Sequence, residues 1–171
     1  MHRGIQKALY DQSGAALLEA AIAFPMLIAV AFGVIDFSNY YYQHQAVVTG
    51  VRDAARYLAR SSCATANPSA SPATACSAQI GYAEQIAVYG DIGGANPRVA
   101  NWTTAAISVA FGATANSVDA TTGNTTYRGG NTIYTVTVSA TFAYAEIGFL
   151  NMLHLTNPNF SVAHTERVIG G

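Results

Sequence analysis

The chain has 171 residues, of which 51% are hydrophobic and only 10% are charged, and its formal net charge is −1. A length of this order holds one membrane anchor and one modest domain. A nucleic-acid footprint, which needs a clustered basic surface, has no support in so small and balanced a charge total.

Residues Met1 to Gly14 are short and polar and carry Arg3 and Lys7. From Ser13 to Ile35 the chain is uncharged except for Glu19, and no Lys or Arg follows until Arg52. At ~1.5 Å per residue, Ala15 to Ile35 is just long enough to cross the ~30 Å hydrocarbon layer as a helix. The positive-inside rule keeps the N-terminus in the cytoplasm and sends everything after Ile35 to the periplasm or cell exterior. The expected division is therefore 1–14 leader, 15–35 transmembrane half-helix and 36–171 external domain.

Glu19 is the informative residue of this run. An ionised side chain in hydrocarbon costs roughly 2.5–3.5 kcal/mol on insertion scales, so an acid kept there has a partner or a task. If the chain is cut between Gly14 and Ala15, Glu19 becomes the fifth residue, one helical turn from a new α-ammonium group. Two other readings stand beside this one. The run is also a secretory signal cleaved after Ala29-Val30-Ala31, or a plain anchor whose Glu19 snorkels to the interface. Pro25 interrupts the run, and a kink there is tolerated where neighbouring helices satisfy the freed carbonyl. Glu19 and Pro25 are thus candidate contacts to other subunits or lipid.

Past Asp36 the pattern becomes amphipathic. Phe37, Tyr40, Tyr41, His44, Val47, Val48, Val51, Ala54, Ala55 and Leu58 recur at three- and four-residue steps, with Arg52, Arg56 and Arg60 opposite. Asp53 is expected to pair with Arg56 one turn on. Gly50 weakens the run a little. Ala15 to Arg60 reads as one helix of roughly 70 Å. Tyr40, Tyr41 and Tyr42 suit the membrane interface or the underside of the following domain.

Cys63 and Cys76 flank a Ser-, Ala-, Pro- and Thr-rich loop without a His or acid, so a disulfide fits an oxidising compartment better than zinc, with two unpaired thiols as the alternative. Closing such a loop contributes about 3 kcal/mol in the chain-entropy model. Cys76 to Tyr89 predicts a helix stopped by Gly90. Ala105 to Phe111, Thr132 to Tyr144 and Phe160 to Ile169 predict strands, with Tyr134, Val136, Val138, Ala140, Phe142 and Tyr144 on one face. The fold class expected is α+β: a long N-terminal helix, half transmembrane and half amphipathic, packed on a small antiparallel sheet.

No residue pattern points to catalysis, and no cofactor or metal is expected. His44, His154 and His164 are isolated from other ligating side chains, Glu166 and Arg167 read as an exposed strand pair, and Gly93-Gly94 and Gly129-Gly130 lack the lysine of a phosphate loop. Asn101, Asn124 and Asn159 match a glycosylation triplet at chance level.

The runs Gly14-Ala15-Ala16-Leu17-Leu18-Glu19, Phe24-Pro25, Gly33-Val34-Ile35-Asp36-Phe37 and Arg52-Asp53-Ala54-Ala55-Arg56-Tyr57 resemble the TadE-like family of minor pilins or pseudopilins. Ala20 stands where that family often has an aromatic residue. The resemblance implies a pilin-like fold and a role in the Tad, or tight adherence, system that builds Flp pili for surface attachment and biofilm formation. It implies that Gly14 precedes the bond cut by a prepilin peptidase, that Ala15 is the mature N-terminus, and that Glu19 serves processing or subunit registration. Its implied partners are that peptidase, other Tad/Flp pilin subunits, a TadF-like protein, an inner-membrane assembly platform and the lipid bilayer, with a single pass through the inner membrane. The competing expectation is a membrane-tethered envelope binding protein that never joins a filament.

Overall fold

The computed structural model describes residues 12–61, 76–127, 130–152, 154, 156 and 158–169. Helix α1, Gln12–Arg60, runs unbroken for 49 residues with Pro25 inside it. Its C-terminal half is covered on one side: Val47, Val51, Ala54, Ala55 and Leu58 are fully buried. A Val or Leu side chain taken wholly out of water contributes about 1.5–3 kcal/mol, so this stripe anchors the domain.

Helix α2, Ser77–Tyr89, lies against α1 through Ala83, Ala87 and Val88, all fully buried. The small residues let the two backbones approach closely. A Cβ on Gly50 would meet the Ala87 carbonyl oxygen, and Trp102 Cη2 at 2.9 Å. Gly90 ends α2 in the left-handed region, φ 83°, donating its N–H to Ile86 O at 2.9 Å. Glycine adopts that conformation without a Cβ penalty, as the expected stop requires.

After a turn through Asn101, which also has positive φ (65°), a 3₁₀ turn Thr104–Ala106 leads into the sheet. Strands β1 (Ile107–Ala115), β2 (Thr132–Ala143) and β3 (Asn159–Arg167) form an antiparallel sheet in the order β1-β2-β3. The register aligns Val109, Val138 and His164, and then Phe111, Val136 and Glu166, on the face that looks toward α1. Thr135, Thr137, Ser139 and Thr141 take the other face, as period-two alternation demands. A short helix α3, Phe149–Met152, lies between β2 and β3. The end of β3 is tied back by Val168 N–H to Tyr134 O and Ile169 N–H to Ala59 O, both 2.9 Å.

The expected architecture is present, with local corrections. The first strand begins at Ile107 rather than Ala105, because Ala106 N–H is already used by Thr103 O at 3.1 Å in the 3₁₀ turn. The apolar stripe is rotated in its first turns: Phe37 is 69% and Tyr41 57% exposed, whereas Asp36 and Gln43 are buried. The sheet reaches α1 from the side of Asp36, Tyr40, Gln43 and Val47, a set at three- and four-residue steps that leaves the neighbouring stripe uncovered. Asp53 pairs with Arg98 at 2.9 Å instead of Arg56, while Arg56 reaches Glu166 at 3.6 Å. Glu166 is therefore not simply part of an exposed strand pair with Arg167. Its carboxylate also meets His164 Nε2 at 2.9 Å, and this hydrogen bond, with Arg56 behind it, holds it below the usual carboxylate range.

Candidate functional site

The first half of α1 stands away from the domain. Leu17, Leu18, Ile22, Phe24, Met26, Leu27, Val30, Phe32, Val34 and Ile35 are all exposed, and the apolar window of this helix has none of its residues buried inside the protein. Among the described residues this is the one helix long and apolar enough to cross a membrane. A contiguous apolar surface of this size, unburied in a single chain, calls for lipid or other protein around it.

Gly14, Ala15 and Glu19 are on this exposed part of α1. The Gly14–Ala15 bond lies within α1, close to the beginning of the described residues. A Cβ at Gly14 would meet nothing within 4 Å. Packing among the described residues therefore places no demand for glycine here. Pro25 lies one turn and a half beyond Glu19, exposed with the rest, and its ring removes the hydrogen bond to the Ala21 carbonyl. Cys76 is buried immediately before α2, whereas Cys63 lies outside the described residues, so their pairing does too.

Where the exposed half meets the domain, a polar joint is built from α1 and the end of β2. The Tyr144 hydroxyl donates to Asp36, whose Oδ1 is 2.6 Å away and whose backbone O is 2.9 Å away. Asn39 Nδ2 donates to the Tyr144 hydroxyl at 3.1 Å. Gln43 holds the Ala145 peptide from both sides, donating Nε2 to its carbonyl at 2.8 Å and accepting its N–H at 3.1 Å. Burial, then the Asp36 carboxylate, push the Tyr144 phenol up to about 12. Tyr40 packs edge-on against Tyr144 and Phe160, with ring centroids 5.4 and 5.7 Å apart. Beside this joint is a largely apolar cleft of 350 Å³ between Gly33, Phe37 and Tyr40 of α1 and Leu150 and Pro158.

The joint ties α1 to the end of β2 at the point where the exposed apolar half of the helix leaves the domain. The TadE-like protein family model matches residues 14–56. This N-terminal segment is similar to TadE-like proteins. The TadE-like match begins at Gly14 and takes in Glu19, Pro25, the joint residues Asp36, Asn39 and Gln43, and the buried stripe to Ala55. It stops short of α2 and of the whole sheet. Comparison with curated proteins and with solved structures gave no significant match.

The joint is the part of the TadE-like segment that sequence reasoning missed. Its signal was present: Asp36, Asn39 and Gln43 are polar residues three and four apart, hence on one helix face, interrupting a stripe that is otherwise apolar. Buried polar groups on one face ask for partners on the facing element. Tyr144, placed inward by its strand's alternation, supplies one.

Proposed function

We propose that the chain is a minor pilin or pseudopilin of the Tad system, helping assemble Flp-type pili for surface attachment, and that its role is non-catalytic. The observation that carries this reading is the division of α1: an exposed apolar half bearing Glu19, and a second half that serves as the spine of a small α+β head. In this reading the chain waits in the inner membrane, N-terminus inward, and the apolar half later exchanges lipid for the same surface of neighbouring subunits. A prepilin peptidase cuts after Gly14. Glu19 then pairs with the terminal ammonium of an adjacent subunit, which offsets the cost of a carboxylate in hydrocarbon and sets the register between subunits. Other pilin subunits, a TadF-like protein and the assembly platform are its proposed partners.

Determining the mature N-terminus by mass spectrometry of membrane-extracted protein tests this reading. Ala15 is expected. Phe32 would instead indicate a secreted protein, and Met1 a plain anchor whose head binds something without joining a filament. Gly14→Trp should abolish cutting because the peptidase must approach the backbone closely. Glu19→Ala should leave insertion intact and lower maturation or piliation, and normal pili from Glu19→Ala cells would sink the role given to the carboxylate.

A further inference from the structure

Where α1 leaves the head, the usual sense of burial is inverted. Asp36 and Gln43 are buried, while Phe37, Tyr41 and Tyr42 beside them on the helix are exposed. The connection between β2 and β3 repeats this on the other side of the joint. Ile147 is 62% exposed, and Leu150, in α3, lines the apolar cleft with Gly33 and Phe37. Both pieces are almost free of charge: no Asp, Glu, Lys or Arg stands between Asp36 and Arg52, or between Glu146 and Glu166. Glu146 serves its own loop, accepting the Asn151 N–H at 2.9 Å.

Both ends of this connection are fixed to α1, which sets its height along the helix. At its start Asp36 holds the Tyr144 hydroxyl and Gln43 the Ala145 peptide; at its end Phe160 packs against Tyr40 and His44, with ring centroids 5.7 and 5.1 Å apart. Between these ties α3 lies close to α1, and Leu150 and Pro158 face Gly33, Phe37 and Tyr40 across the cleft. With Ala15 to Ile35 filling the ~30 Å hydrocarbon layer, a helix near the membrane normal puts Gly33 ~3 Å inside its outer boundary and Tyr40 ~8 Å outside it. That interval spans the headgroup layer, ~5–8 Å thick on each side. The connection is therefore held at the height where amphipathic rings and interfacial segments settle.

We propose that the β2–β3 connection is a second membrane contact: Ile147 and α3, with Phe37 and Tyr41 of α1, dip into the outer face of the bilayer and seat the head directly on it. This rests on the reading of α1 as a membrane span. Lipid is the occupant because the surface is continuous with the exposed apolar half of α1 and shares its surroundings at that height. The contact is apolar rather than ionic. With no Lys or Arg at this height, and Glu146 the nearest charge to Ile147, anionic lipid gains nothing here, unlike at interfacial helices with a basic face. One contact along α1 and another beside it fix the rotation of the head about the helix. The head then lifts off the membrane only when the connection leaves the interface.

The test uses the full chain in phosphatidylcholine vesicles whose acyl chains carry bromine either just below the headgroup or at the chain end, where it quenches tryptophan by contact. Trp102, the chain's single tryptophan, is 2% exposed and supplies a constant background. Ile147 is exposed, so Ile147→Trp leaves the core intact. Its added emission should be shifted to the blue and mostly removed by the shallow bromines, and little affected by the deep ones. Val118→Trp, on an exposed loop beyond the far end of β1, should be quenched by neither. Leu27→Trp separates this proposal from the reading beneath it: quenching by the deep bromines places α1 in the bilayer, and an unquenched Ile147→Trp then overturns the second contact alone. An unquenched Leu27→Trp overturns both. Adding phosphatidylglycerol or salt should leave the Ile147→Trp quenching unchanged, and quenching that requires the anionic lipid overturns the apolar contact. So does a blue-shifted Ile147→Trp that is shielded from bromine and depends on the protein-to-lipid ratio, which would make a second copy the occupant.

Discussion

Gly50 stands at mid-helix, where glycine costs about 1 kcal/mol relative to alanine. The close approach of α2 reverses the sign of that preference, because a Cβ would run into the Ala87 backbone and the Trp102 ring. The backbone of a packed helix cannot step aside as a flexible side chain can. Gly50→Ala should therefore destabilise the head by about 1–3 kcal/mol despite the propensity gain, as overpacking does. A thermal melt checks this, and an unchanged or raised midpoint would show that α2 yields. Tyr144 makes a second prediction at this scale. Its folded pKa lies near 12, above the ordinary 10, so the folded head holds the phenolic proton more tightly than the unfolded chain. The stabilisation is complete below pH 10 and is lost as pH rises from 10 to 12. Tyr144→Phe should be less stable at neutral pH, having stranded Asp36, and should lose the Tyr144 contribution to alkaline unfolding. Denaturant melts at pH 8 and 11 separate the two effects.

Among the elements, α1 carries two jobs that divide near Asp36. Residues 15–35 are exposed apart from half-buried Ala23 and Gly33, so the fold of the head should not need them. A chain beginning at Ile35, which keeps the Asp36–Tyr144 bond, should fold as a soluble head that is monomeric or weakly associating and cannot support pili. Within it, Val51→Asp would place a charge where exposure is zero and should cost roughly 3–5 kcal/mol, enough to unfold a marginal domain. Arg56→Ala removes only a 3.6 Å contact to Glu166 from a largely exposed side chain and should cost less than ~1 kcal/mol. Circular dichroism and melts of both variants decide which face of α1 the sheet covers. The N-terminus of α2 offers a further test. Cys76 is buried just before it, and pairing with Cys63 would pin the start of α2 to the chain leaving α1. Thiol labelling of protein recovered without reductant should find neither cysteine reactive, and full labelling under denaturing conditions would reject the bridge.

For the whole molecule, the period of the hydrophobic pattern was enough to give the long helix, the α+β class, the inward face of β2 and the Gly90 stop, because these depend on residues near one another in sequence. The exposed run with Glu19 was equally legible: an apolar stretch that long with one acid is unusual in any fold. Two features came from tertiary contact alone. The helix face that is covered turns through Asp36 and Gln43 instead of Phe37 and Tyr41, since the sheet's approach direction is set by β2 and β3, far away in the chain. Asp53 chooses Arg98 over the nearer Arg56 because the Arg98 N–H is fixed to Val88 O at 2.8 Å, which carries its guanidinium alongside α1. Sequence by itself determined what each segment had to bury, through local periodicity and the cost of charge in hydrocarbon. Partner choice and register were left to the tertiary structure, because they depend on distances between segments that no local pattern encodes.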